Sequence, residues 1–411
     1  MRKVYKTLVF IFLIWLMFFC TFMLGKYPQE GILYLLERLN HYFEAILPQG
    51  MLCDFICNGV VTGVGSVLSF LPNILILFFF MYMFEESNYL THVADLLDHL
   101  MHKIGLHGNS VVPLLMGFGC NVPAILATRA ISDTKRRILT MLLIPFMSCS
   151  ARLPILVLLV GTFFPEHPIL IIFGLYILTI FMAILTALLL DKLIFKTELD
   201  LTPVDMLPLQ KPKMKRVVQL TWDAGYEYVK KIGSVVLIAM MAIWFLSHFP
   251  TQENSRIAAS SQGINNVNTE TVVGQIANYK KDTYLAQFGH FIQPLLSSLG
   301  FDWKMSVCLT TGLAAKEFIV GTMAILYCND EPDINDPHID IHLKNAGIFT
   351  PPVALSFLVF SMLYMPCIAT IFTIKKESKS WKWALFSVVY SIALAWGVAF
   401  AVYKTLGAFL Y

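Results

Sequence analysis

Charge is scarce in this sequence: 14% of its 411 residues are Asp, Glu, Lys or Arg, against 57% hydrophobic residues. Soluble chains carry about 25% charged residues, so a soluble enzyme is excluded as the main body. Apolar tracts of spanning length recur instead. No run of basic residues offers a nucleic-acid footprint, and a formal net charge of +3 matters less than where the charges fall. No GxxxxGK[ST] stretch occurs, so the sequence carries no P-loop nucleotide site. No HExxH or nucleophile–base spacing occurs either, which disfavours a membrane enzyme. The cysteines Cys20, Cys53, Cys57, Cys120, Cys149, Cys308, Cys328 and Cys367 are scattered and form no disulfide framework. Only Cys53 and Cys57 stand at i and i+4. A structural pair is the plain reading, a metal-collecting pair the sharper one, and a disulfide between them stays open.

What is present reads as an all-α polytopic membrane protein. Expected full spans cover 7–24, 60–84, 138–164, 168–190, 232–249, 351–374 and 383–403, about seven in all. They divide the chain into an N-terminal span (1–25), a polar extracytoplasmic loop (26–58), a first repeat (59–165), a span (166–190), a basic cytoplasmic linker (191–231), a second repeat (232–375) and a C-terminal span (376–411). The second repeat includes extracytoplasmic loops at 250–304 and 328–350. Lys/Arg excess marks cytoplasmic connections, which puts the N-terminus, 129–137, 191–231 and 375–382 inside. Counting crossings from there makes 111–128 begin and end inside, and 305–327 begin and end outside. Both are then re-entrant broken-helix hairpins, and the two repeats are inverted with respect to each other, a plan common among transporters.

The first hairpin carries Gly117-Phe118-Gly119-Cys120-Asn121-Val122-Pro123. Glycine costs about 1 kcal/mol and proline about 3 kcal/mol in a helix interior, and broken backbone survives at membrane depth only where protein or water satisfies it. The run therefore reads as a site, with Gly117, Gly119 and Pro123 shaping it. Its counterpart is Gly312-Leu313-Ala314-Ala315-Lys316, followed by Glu317. Cys149-Ser150-Ala151 similarly echoes Cys367-Ile368-Ala369, where Pro366 breaks the span. Cys120, Cys149 and Cys367 beside helix breakers are candidate ligands for a first-row divalent ion, with Asn121, Ser148 and Glu317 assisting; core packing is the plain alternative, accepted for Cys20, Cys308 and Cys328. Lys316 is the expected charge partner of Glu317. Glu85 and Glu86 close a span, as an ion entry or merely as interfacial charges. Arg129 and Arg152 are expected to snorkel in structural roles. His92, His99, His102 and His107 crowd one connection and read as helical surface.

The motif Gly117-Phe118-Gly119-Cys120-Asn121-Val122-Pro123-Ala124-Ile125 with Ala127-Thr128-Arg129 resembles the first Gate region of FeoB-type ferrous iron transporters. Pro145-Phe146-Met147-Ser148-Cys149-Ser150-Ala151-Arg152-Leu153-Pro154 resembles that family's next signature. The similarity continues through Ala315-Lys316-Glu317, Val320-Gly321-Thr322, Pro366-Cys367-Ile368-Ala369-Thr370 and Ser380-Trp381-Lys382-Trp383-Ala384, over about 59–399. The resemblance implies Fe2+ as transported substrate, a prokaryotic cytoplasmic membrane, and a G domain that regulates or drives transport. With no GTP site in this sequence, a stand-alone GTPase in trans is the expected partner, beside a small cytoplasmic accessory protein, the lipid bilayer and no nucleic acid; a homo-oligomer is compatible. The family's acidic-acidic-Ser-Gly-Tyr pattern, followed by an arginine, here reads Glu85-Glu86-Ser87-Asn88-Tyr89 with His92 in the arginine's place. The rival readings are a transporter of Mn2+, Zn2+ or a nucleoside-like solute, and a non-transporting membrane scaffold or sensor for a G protein.

Overall fold

The structure, a computed structural model, describes residues 2–46, 48, 50, 53, 55–195, 210–230, 237–238, 241–242, 244–246, 249, 283–313, 316, 318–327, 343–344, 347, 349–364 and 367–410. Every regular element among them is helical. Among the described residues, three stretches are long and apolar enough to cross a membrane: Pro168–Phe195, Pro351–Ser378 and Trp381–Ala408. The first turns Ile169, Leu170 and Phe173 outward, as a helix does when lipid is its solvent. The count of about seven crossings does not emerge from helix length among the described residues. Region 138–164 is split by a break, and 232–249 falls partly outside the description.

Two compact units share the chain. The first comprises Met1–Ser150, Tyr176–Ile238 and Ile368–Val388, and the second Ala151–Leu175, Ala239–Cys367 and Val389–Tyr411. The chain changes unit directly after Ser150 and again directly after Cys367, beside two of the cysteines that stand next to helix breakers.

In the first unit, α1 (Arg2–Ile46) and α2 (Thr62–Glu86) lie antiparallel. Asn73 donates to Gln29 at 3.1 Å, and Gly65 of α2 abuts Leu36 of α1. At 1.5 Å per residue, the 45 residues of α1 extend for about 67 Å. The expected polar loop from residue 26 is therefore helical as far as Ile46. The reason is a half-buried stripe at helical spacing (Ile32, Leu36, Asn40 and Phe43) that a charge count over the segment conceals.

Past α2 come α3 (Tyr89–His102), α4 (Val111–Gly117), α5 (Asn121–Ala127) and α6 (Thr134–Leu143). Asp133 caps α6 by accepting from the Lys135 and Arg136 amides, as an N-cap aspartate does. In the second unit, α7 (Leu153–Phe163) follows; α8 (Pro168–Leu190) carries the chain back to the first. There the second half of the basic linker proves to be α9 (Met214–Tyr228), packed along α2. Arg216 reaches Glu86 at 3.0 Å, while Gly225 sits against Leu75, so α9 runs antiparallel to α2. Its basic residues gather at the start, and Val217 and Gly225 are buried on its inner face. Averaged over 191–231, that pattern looks like an extended linker.

The second unit continues with α10 (Tyr284–Leu296), α11 (Trp303–Thr311), α12 (Phe318–Tyr327) and α13 (Pro351–Leu363). Its core is aromatic, with Phe301, Phe349, Phe357 and Phe360 in edge-to-face contacts. The chain re-enters the first unit as α14 (Ile368–Ser378) and ends on α15 (Trp381–Leu410). A cluster of Ile74, Phe78, Met116, Ile125, Met141 and Ile374 ties α2, α4, α5, α6 and α14 together.

Candidate functional site

Helix breaks fall where glycine, proline and cysteine coincide in the sequence. In the first unit, α4 stops at Gly117 and α5 starts at Asn121. Between them the Gly119 and Cys120 amides both donate to the Met116 carbonyl, at 2.9 and 3.1 Å. These bonds satisfy the end of α4, while Cys120 is extended at φ −154°, ψ 133°. Pro123 is the third residue of α5, in a first turn where its missing N–H breaks no helical bond. A second break follows α6, where Met147, Ser148 and Cys149 stand outside α-helix. The two breaks touch. A methyl group at Gly117 would lie 2.7 Å from Met147 Cβ, and one at Gly119 3.0 Å from a Leu77 methyl. Only glycine permits that approach at Gly117.

Four expected ligands belong to this unit. Cys120 and Cys149 are half-buried, Ser148 is 1% exposed and Asn121 5%. Asn121 Oδ1 is buried and accepts no hydrogen bond. Leaving such an acceptor unsatisfied costs about 1–3 kcal/mol, and it sits at the N-terminus of a seven-residue helix in the middle of the motif.

The second unit holds the corresponding pair of breaks. Helices α11 and α12 form a hairpin whose open ends are tied by Tyr327 Oη donating to Asp302 at 2.8 Å and Lys304 Nζ to the Leu326 carbonyl at 2.7 Å. Its break, starting at Gly312, meets Tyr364 of the α13–α14 break: a methyl at Gly312 would lie 2.6 Å from Tyr364 Oη. That hydroxyl donates to the Leu309 carbonyl at 3.3 Å. Lys316, 4% exposed, places Nζ 3.2 Å from the centre of the Tyr364 ring, so an aromatic face is one of its partners. Cys367 is half-buried. Glu317 and Pro366 lie outside the described residues.

Several expectations change. Arg152 does not snorkel: it is 1% exposed and donates to the Met362 carbonyl in the last turn of α13, where helix carbonyls lack partners. Arg129 is half-exposed but ion-paired, at 2.6 Å from Glu377. Glu85 is exposed, while Glu86 is engaged by Arg216 and, through its carbonyl, by Gln210. Asp98 lies between His102 and His107, at 3.0 and 3.7 Å, so two of the four histidines join an interior cluster; the side chains of His92 and His99 lie outside the described residues. Cys308 is fully buried and Cys53 buried; the Cys57 side chain and Cys328 lie outside the described residues. Asn88, in place of the family's glycine, adopts φ 57°, ψ 17°, a left-handed turn that asparagine tolerates best after glycine. Among the described residues, no three His, Cys, Asp or Glu side chains gather as a metal centre.

The Gate family model, described as nucleoside recognition, matches residues 67–163 and 229–381, the segments that carry all four breaks. The chain belongs to the Gate family. A second model, for the ferrous iron transport protein B C terminus, matches residues 172–223, which take in most of α8 and the first two thirds of α9. A curated Fe(2+) transport protein A/Fe(2+) transporter FeoB fusion protein of Porphyromonas gingivalis is 40% identical over 96% of this chain and 49% of its own length. The Fe(2+) transporter FeoB of Campylobacter jejuni is 37% identical over 97% of the chain and 63% of its own length. That of Methanocaldococcus jannaschii is 35% identical over 96% and 56%. The chain thus spans about half to two thirds of these relatives. No solved structure matches it.

The residues that sequence reasoning missed are Tyr364, Glu377 and Arg137. Tyr364 adjoins Met365-Pro366-Cys367 and was within reach as a neighbour of a breaker. Glu377 carries no local signal, because its partner Arg129 is 248 positions away.

Proposed function

We propose that this Gate-family chain is the permease of a ferrous iron uptake system. Relatives named Fe(2+) transporters match it over nearly its whole length, which supports the cargo. The observation that carries the reading is Asn121: a buried amide oxygen without a hydrogen bond, at a backbone break beside a half-buried thiol. Such an acceptor is poised to coordinate a cation. Fe2+ would exchange water for Asn121, Cys120, Ser148 and Cys149 at the first pair of breaks, and for Cys367 and Glu317 at the second. Thiolate is the ligand form, so uptake weakens as pH falls. Matching break pairs (Gly117 against Met147, Gly312 against Tyr364) support an inverted repeat, with 111–128 as the inner re-entrant hairpin and 305–327 as the outer. The N-terminus is then cytoplasmic. A GTPase supplied in trans would couple the cycle, and the fusion relative's name supports an accessory protein as partner.

The test is Fe2+ uptake in cells lacking their own importer, comparing the intact chain with Cys120→Ser, Cys149→Ser and Asn121→Ala at equal expression. We expect uptake to fall at least tenfold in Asn121→Ala, with thermal stability unchanged or higher, because an unsatisfied acceptor has been removed. Full uptake in all three variants would remove these ligands from the mechanism. The Gate model's description as nucleoside recognition favours one second reading, a nucleoside-like cargo. Competition by nucleosides, Mn2+ and Zn2+ in the same assay separates the cargoes, and proteoliposomes without flux would favour a scaffold.

A further inference from the structure

A half-open cavity of about 250 Å3 lies in the first unit, walled by Phe78 of α2, Val122 and Leu126 of α5, Glu227 of α9, and Phe372 and Lys376 of α14. Its α5 wall starts next to Asn121, so it adjoins the first break. Just past the end of α5, Arg129 grips Glu377 of α14 with two hydrogen bonds, Nε at 2.9 Å and Nη2 at 2.6 Å. Arg137 of α6 binds the same carboxylate at 2.7 Å. The bridge therefore joins the two helices whose facing sides wall the cavity.

We propose that Glu377 is the latch of an inner gate: its hydrogen bonds to the two arginines hold α14 against α5 and keep the cavity below the Cys120–Asn121 break narrow. This rests on the reading of that break as the transport site. The physical asymmetry fits a reversible latch. Glu377 is 6% exposed, whereas Arg129 is 54% exposed. Water can compete for Arg129, which keeps its bonds weak; Arg137 is less exposed, at 26%. The buried carboxylate, by contrast, is stable only while the arginines stay, because an unpaired buried charge is strongly penalised. Parting α5 from α14 breaks side-chain bonds and no backbone hydrogen bond between them. Ile374 shares one apolar cluster with Ala124 and Ile125, and that packing re-forms when the pair closes.

The experiment uses the full chain in proteoliposomes with Leu126→Cys as reporter in the cavity wall. A polar, membrane-impermeant thiol reagent is applied, and labelling of position 126 is followed by peptide mass spectrometry. Glu377→Gln should raise the labelling rate about tenfold, Arg129→Gln by a smaller factor, and Glu377→Asp should return it toward the parent value. A lipid-facing reporter, Phe173→Cys, should not change, which distinguishes release of the latch from unfolding. Labelling at 126 that ignores Glu377→Gln and Arg129→Gln, or that is as fast in Glu377→Asp as in Glu377→Gln, overturns the latch. The readout needs no iron: failed Fe2+ uptake beside this labelling pattern would sink the permease reading and leave the latch standing.

Discussion

Replacing Gly117 by alanine probes the contact on which the first pair of breaks depends. The added methyl would sit 2.7 Å from Met147 Cβ, 2.9 Å from its Cγ and 3.5 Å from the Ile144 carbonyl oxygen. Carbon atoms rest at about 3.5–4.0 Å, so the first contact is too close by roughly 1 Å. Met147 Cβ moves only with its backbone, which holds the Ser148–Cys149 break. Overpacking of this kind costs about 1–3 kcal/mol, and alanine's better helix propensity offsets at most about 1 kcal/mol. The net expectation is a loss of about 1–2 kcal/mol, or a melting point lower by a few degrees. Tryptophan fluorescence of the purified chain in detergent would follow the unfolding. Gly161→Ala is the control, because a methyl there meets nothing within 4 Å; it should leave stability unchanged or raise it by up to about 1 kcal/mol. Met147→Gly combined with Gly117→Ala should recover at least about 1 kcal/mol of coupling. Equal melting points for Gly117→Ala and Gly161→Ala would refute the close approach and, with it, the meeting of the two breaks.

Other outcomes follow from single contacts. Arg152→Ala removes a hydrogen-bond donor to the Met362 carbonyl from a fully buried position and should cost about 3 kcal/mol or more, with Arg152→Lys recovering part of it in the same melt. Tyr364→Phe deletes the bond to the Leu309 carbonyl but keeps the ring beneath Lys316, so it should cost about 1 kcal/mol; Tyr364→Leu loses both and should cost distinctly more. Asn88→Ala places a poorly suited residue at φ 57° and should destabilise by about 1 kcal/mol, whereas Asn88→Gly should be neutral within about 0.5 kcal/mol; equal melts for the two would argue against the left-handed turn.

The breaks were legible because a membrane makes them expensive. Gly117, Pro123, Gly312 and Pro366 stand out only against apolar surroundings in which a smooth helix is the default: α4 ends at Gly117, α5 starts two residues before Pro123, α11 ends next to Gly312, and Pro366 falls between the end of α13 and the start of α14. Regions of mixed composition were read less well. The helical stripe within 26–46 and the inner face of α9 are patterns of spacing, and a count of charges averages spacing away. Arg152 was misread for a related reason. Its distance from a span end allowed snorkelling, but its hydrogen bond to a carbonyl 210 positions away, in the last turn of α13, holds it inside.

The sequence by itself determined the solvent, the helical class, the family and the positions of the breaks, because hydrophobic content and helix-breaking residues act locally and need no partner. Tertiary structure alone decided which groups meet across long separations. It set Gly117 against Met147, Lys316 on the Tyr364 ring and Glu377 beneath Arg129 and Arg137, and it left the Asn121 oxygen unpaired. Those are properties of packing: a buried donor or acceptor is satisfied, or left wanting, only by what the fold brings to it.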